Sequence, residues 1–137
     1  MRILGIDYGD SYIGLALSDP MGIIASGLTT IKSITMAKDI DAIADIAIAK
    51  EASKIVIGLP LNMDGSEGTR ASKTRSFGKV LERVSGKEII YQDERLTTVS
   101  AARVLDASGV AKKNQKNFID TTSAQIILQT YLEKNRF

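Results

Sequence analysis

Three carboxylates stand where carboxylates are costly to place. Asp7 falls inside the apolar run Arg2-Ile3-Leu4-Gly5-Ile6-Asp7-Tyr8, which reads as a buried strand, where Asp is disfavoured and an unpaired charge is expensive. Glu94, with Asp93 beside it, comes just after a second apolar run, Ile89-Ile90-Tyr91. Asp120 lies one turn before Ala124, on the inward stripe of the closing amphipathic segment and near its start. If the first and fifth strands approach each other and the last helix packs across them, the three converge. Converging carboxylates repel unless they are protonated or bridged by cations. Each also has an ordinary use. Asp7 could cap the turn at Gly9, Asp93 and Glu94 could be solvated or paired with Arg95, and Asp120 could be the N-cap of the last helix.

Composition narrows the chemistry. The chain has 137 residues, 18 Lys and Arg against 16 Asp and Glu, and neither His nor Cys. That excludes a Ser-His-Asp triad, an imidazole general base, a thiolate nucleophile, zinc-thiolate ligation and disulfides. A metal held by side chains would be a hard ion on oxygen ligands, so Mg²⁺ or Mn²⁺ suits a carboxylate cluster. The apolar fraction of 44% is that of an ordinary globular protein, and the length predicts one domain over residues 1–137. No uncharged run reaches the ~20 residues of a membrane helix, and a carboxylate interrupts the N-terminal apolar run. The expectation is a cytoplasmic protein.

The net charge of +2 conceals an asymmetry. Residues 1–68 carry five basic and nine acidic side chains, whereas residues 69–137 carry thirteen and seven. A basic half points toward a polyanionic partner, although solvated helix faces have the same composition.

The elements that must position the carboxylates follow from periodicity. Residues 2–8, 12–18 and 23–31 read as three closely spaced strands, an antiparallel meander. Residues 37–52 read as a helix with Ile40, Ile43, Ala44 and Ala47 inward and Lys38, Asp41, Asp45 and Lys50 outward. Residues 55–59 form a β-branched central strand, 60–69 a turn-rich loop, and a helix follows with Phe77, Val80, Leu81 and Val84 on one stripe. A fifth strand at 88–91, a helix at 97–107, a polar basic linker at 111–117 and a helix at 120–133 complete the chain. The closing helix turns Ala124, Ile127, Leu128 and Tyr131 inward. The order predicts an α/β fold with a five-stranded mixed sheet, three strands in a meander plus parallel strands, flanked by helices.

Several blocks then match a family. Ile3-Leu4-Gly5-Ile6-Asp7-Tyr8-Gly9 and Ile13-Gly14-Leu15-Ala16-Leu17-Ser18-Asp19 come first. Val56-Ile57-Gly58-Leu59-Pro60 continues into Leu61-Asn62-Met63-Asp64-Gly65-Ser66-Glu67-Gly68. Asp93-Glu94-Arg95-Leu96-Thr97-Thr98, Ile119-Asp120 and Ile126-Ile127-Leu128 complete the set. In this order, over nearly the whole chain, they resemble the YqgF family, also called RuvX, of Holliday-junction-resolvase-like proteins with a ribonuclease-H-like fold. The resemblance implies a metal-dependent nuclease that matures precursor 16S ribosomal RNA, or, by an older assignment, cleaves four-way DNA junctions. Carried over by motif, Asp7, Glu94 and Asp120 would be the catalytic, metal-binding carboxylates for Mg²⁺ or Mn²⁺. Where the family usually has a Thr-Lys-Arg-like stretch, this chain has Asp10-Ser11-Tyr12; Ser123-Ala124 replaces the usual Ala-Ala.

With a nucleic-acid substrate implied, the basic half acquires a role. Arg70, Lys73, Arg75, Lys79 and Arg83 line the second helix, and Arg95, Arg103, Lys112, Lys113 and Lys116 follow. Of these, Arg70, Lys73, Arg95, Lys112, Lys113 and Lys116 are the expected phosphate contacts of structured RNA or branched DNA. The loop before the helix could receive a phosphate on the backbone at Gly65, Ser66 and Gly68. A plain strand–helix connection would look much the same. The junction reading would call for a homodimer, since two-fold substrates meet two-fold proteins. Two other readings remain. Gly5-Ile6-Asp7-Tyr8-Gly9 also resembles the phosphate loop of actin-like ATPases and sugar kinases, which bind nucleotide between two such domains. A non-catalytic nucleic-acid-binding module would share the basic half.

Overall fold

A computed structural model describes residues 1–95 and 112–135, the side chains of 112–121 excepted. Strands β1 (Arg2–Tyr8), β2 (Tyr12–Ser18) and β3 (Ala25–Lys32) form the meander. Helix α1 (Met36–Ala49), β4 (Ala52–Leu59), α2 (Thr69–Ser85), β5 (Glu88–Asp93) and α3 (Lys112–Lys134) follow. The five strands lie in the order β3-β2-β1-β4-β5. β1 is antiparallel to β2 and parallel to β4, which is parallel to β5. The expected mixed sheet is therefore observed, with β1 at its centre.

Alternation along the strands divides the interior. Leu4, Ile6, Ile13, Leu15, Ile55 and Ile57 face one way and pack with Ile40, Ile43, Phe77 and Leu81 of α1 and α2. Tyr8 extends this side by stacking on Phe77 with ring centroids 4.1 Å apart. Ala16 and Val56 face the other way, against Ala124, Ile127, Leu128 and Leu132 of α3. This second face is built close. A Cβ on Gly5 would meet Leu128 Cβ at 2.7 Å and the Ala124 carbonyl at 3.2 Å, so only glycine admits the helix at this distance.

Local chemistry explains where the elements depart from expectation. β3 begins at Ala25 because the N–H groups of Ile23 and Ile24 donate to Asp19 Oδ1 at 2.7 and 2.8 Å, which holds both residues in the preceding turn. α1 stops at Ala49: the Lys50 N–H returns to the Ile46 carbonyl, and Glu51 adopts a left-handed φ of 57°. β4 consequently starts at Ala52, beside Arg2. β5 runs on to Asp93, paired with Leu59. Val84, expected inward, is exposed in the last turn of α2. Residues 112–117, expected as linker, are the first turns of α3; Lys, Gln and Asn tolerate a helix, but nothing apolar there marks the period. The helix expected at 97–107 lies outside the described residues. Among the described residues no helix is long and apolar enough to cross a membrane.

Candidate active site

Asp7 is two residues beyond Gly5 and hence on the α3 face of the central strand. It pairs across β2 with Gly14, and on the other side the parallel register Ile6–Ile57 brings it level with Gly58. A Cβ on Gly58 would lie 2.5 Å from both Glu94 Oε2 and Ile127 Cδ1. The missing side chain is thus the slot into which Glu94 folds. Past the end of β5 the Glu94 N–H still donates to the Leu59 carbonyl at 3.2 Å, continuing the ladder and fixing its backbone. Ile90, Gln92 and Glu94 share one face by alternation, and there the Glu94 carboxyl lies within interaction range of Asp7.

Burial pushes the Glu94 carboxyl above the usual glutamate range. The nearby Arg70 guanidinium and the contact with Asp7 oppose that shift, and neighbouring Asp93 adds to it. Two carboxyls brought close repel unless a proton or a cation comes between them. The pair therefore suits a hard divalent ion chemically: its donors are oxygens only, partly withdrawn from water, with a cation at the rim. Among the described residues no group of three acidic side chains converges on one point.

The ordinary alternatives now separate. The Gly9 N–H donates to the Tyr12 carbonyl at 3.1 Å, so that turn is closed by backbone. Arg95 takes Asp93, with Nη2–Oδ2 at 2.8 Å, and this partner holds the Asp93 carboxyl below its usual range. Neighbours in sequence thus have opposite fates: Asp93 is spent on an exposed ion pair, and Glu94 turns in to Asp7. Asp120 is not an N-cap, because α3 begins at Lys112, more than two turns earlier. It precedes Ala124, the residue packed over Gly5, by one turn. Its side chain lies outside the described residues.

The basic residues are divided as well. Arg70 stands in the first turn of α2, close enough to Glu94 to act on its carboxyl. Lys73 Nζ contacts Asp10 Oδ1 at 3.0 Å, and Arg75 Nε contacts Glu67 Oε1 at 2.7 Å. Arg95 also donates through Nη1 to the Met63 carbonyl at 3.2 Å, tying the loop to the end of β5. Lys112, Lys113 and Lys116 are on the first turns of α3, with side chains outside the described residues, as is Arg103.

The loop is largely self-bonded. The Gly65 N–H donates to the Asn62 carbonyl at 2.8 Å, and the Ser66 N–H to Asp64 Oδ1 at 2.9 Å. Gly65 takes φ +88°, which the turn requires and glycine adopts freely. Gly68 differs: it is the N-cap of α2 and contributes no side-chain cap. A phosphate on Gly65 or Ser66 would have to replace existing bonds, whereas at Gly68 it would meet the open helix end.

One contributor, Gly58, and one buried hydroxyl on α3, Ser123, are not picked out by sequence as site residues. Gly58 belongs to a strand and to a family-matching block by sequence, with no role of its own, although a glycine inside a β-branched run signals close approach. Ser123, one turn before Ile127, is 1% exposed, and its Oγ has no hydrogen-bond partner among the described residues.

The five-stranded mixed sheet with α3 across its central strand defines a ribonuclease-H-like protein. Solved structures agree on the fold. The *Thermus thermophilus* RuvC–Holliday junction complex superposes with a TM-score of 0.62 at 11% identity, over 99% of this chain and 96% of that one. The fowlpox virus resolvase bound to junction DNA gives 0.61 at 16% identity, over 98% of both chains. Within that class, the RuvX family profile, described as Holliday junction resolvase, matches residues 1–134. A *Myxococcus xanthus* protein is 42% identical over 99% of this chain and 90% of its own length. One from *Ruminiclostridium cellulolyticum* is 47% identical over 98% and 95%. Both are provisionally named pre-16S rRNA nucleases. The chain belongs to the RuvX family.

Proposed function

We propose that this chain is a metal-dependent nuclease that hydrolyses phosphodiester bonds, acting in the cytoplasm on precursor 16S ribosomal RNA. One observation carries the reading: the Asp7–Glu94 carboxyl pair, brought together across Gly58 on the α3 face. Asp7 and Glu94, joined by Asp120 from α3, would hold Mg²⁺ or Mn²⁺. When bound, such ions supply hydroxide at neutral pH and offset charge on the leaving oxygen, the two-metal form of hydrolysis.

The chain's own groups supply position and charge. Asp7 sits on the central strand, paired with Gly14 of β2 and following Ile6, which pairs with Ile57 of β4, so its carboxyl is pre-oriented. Glu94 is partly withdrawn from bulk water, which strengthens its interaction with any cation it meets. Arg70 and Gly68, at the start of α2, lie on the side from which a phosphate backbone can approach, and Lys112, Lys113 and Lys116 would extend that contact. The relatives' name supports RNA as substrate. The family's description supports a second reading, cleavage of four-way DNA by a homodimer.

The test is cleavage of a precursor 16S rRNA transcript and of a four-way DNA junction, each with Mg²⁺ or Mn²⁺. Wild type should cleave the transcript. Asp7→Asn and Asp120→Asn should each lose roughly 100-fold or more, equivalent to about 3 kcal/mol of transition-state stabilisation, with the fold retained. Near-wild-type cleavage by both variants removes the assignment, and preference for the junction selects the second reading.

A further inference from the structure

Beside the carboxylate pair, the first turns of α2 present two cations, and an acidic side chain from the β1–β2 turn lies against them. Lys73 Nζ donates to Asp10 Oδ1 at 3.0 Å. Arg70 is near enough to favour the charged form of Asp10 as it does that of Glu94. Tyr8 and Thr74 line the small cleft between these groups. The Lys73 and Asp10 side chains are 52% and 82% exposed, so a solute can reach both.

The Asp10 carboxylate is not needed to shape its own turn. Backbone bonds from Gly9 N–H to the Tyr12 carbonyl and from Ser33 N–H to the Ser11 carbonyl do that work. An exposed ion pair of this kind is weak and readily exchanged. A phosphodiester oxygen competes for the same ammonium and guanidinium donors as a carboxylate oxygen.

We propose that Arg70 and Lys73 form a phosphodiester-binding subsite adjoining the Asp7–Glu94 pair, and that Asp10 is an internal anion displaced from it by an incoming backbone phosphate. This rests on the nuclease reading for the class of ligand, but it concerns how tightly that ligand is held. Asp10 weakens binding, because the Lys73 contact must be given up first. It also lowers the salt dependence, because Lys73 is already partly neutralised and releases less counterion when a phosphate arrives.

The experiment is binding without cleavage. A fluorescent RNA hairpin and a fluorescent four-way DNA junction are titrated in chelator across a KCl series, with wild type, Asp10→Asn, Lys73→Met, the double variant and Asp41→Asn. Asp41 is an exposed carboxylate on α1 and controls for net charge. Asp10→Asn should bind roughly threefold tighter, with a log Kd against log salt slope steeper by up to about 1. The gain should vanish in the Lys73→Met background and be absent in Asp41→Asn. Wild-type binding with an unchanged Asp10→Asn, or an equal gain from Asp41→Asn, overturns the subsite alone. Failure of every protein to bind either probe overturns the nuclease reading along with it.

Discussion

The two faces of the sheet are built to different rules. Toward α1 and α2 the strands present Leu4, Ile6, Ile13, Leu15, Ile55 and Ile57, and the space is filled by hydrocarbon and the Phe77 ring. Toward α3 the same strands present Gly5, Val56, Gly58 and the carboxyl groups of Asp7 and Glu94. Bulk holds the first face apart, and its absence lets a helix and a partly buried carboxyl approach the backbone on the second. The thick face provides stability, and the thin face provides placement. A charged group that must sit within hydrogen-bond reach of another is better fixed against a rigid backbone than at the tip of a loop.

That contrast predicts where substitutions act. The largest effect belongs to Glu94→Gln, which should lower cleavage by about 100-fold or more while making the protein more stable in chelator. Burial raises the Glu94 carboxyl, so its stabilising contribution is present at low pH. It is lost as pH rises from the ordinary glutamate range through the raised value. Glutamine cannot ionise, so thermal melts in chelator should show wild type falling behind the variant as pH increases across that window. Parallel melting curves at every pH would mean that Glu94 is not withdrawn from water.

On the thick face, Ile57→Ala should cost about 2–5 kcal/mol by urea unfolding, with the remaining folded protein cleaving normally. On the thin face, Gly58→Ala should cost less, about 1–3 kcal/mol from overpacking, yet depress cleavage because the new methyl displaces Glu94 and Ile127. Equal loss of cleavage in both would erase the distinction between the faces. The smallest effect is expected away from both: Arg75→Ala removes an exposed pair with Glu67 and should shift stability by less than about 1 kcal/mol.

Much of this was legible in the sequence. Continuous apolar runs marked β1 and β2 to the residue, because a strand buried on both faces leaves no polar interruption except one with a purpose, here Asp7. Segment ends were less legible. Asp19 draws Ile23 and Ile24 out of β3 through side-chain bonds that no periodicity reveals. The polar start of α3 carries no apolar stripe, so the sequence pattern starts the helix at Asp120, which is interior to it.

Residue types alone determined the kind of chemistry available. A chain without His or Cys and with carboxylates in apolar surroundings can ligate a hard cation and do little else with metals. Tertiary structure decided which of two adjacent acids turns toward Asp7. Asp93 and Glu94 carry the same charge but, at the end of β5, turn to opposite faces of the sheet. One meets Arg95 in solvent, and the other meets Asp7 across the gap left by Gly58. The physical reason is that charge is carried by the residue, whereas desolvation and partnership depend on which face of the sheet the residue turns toward.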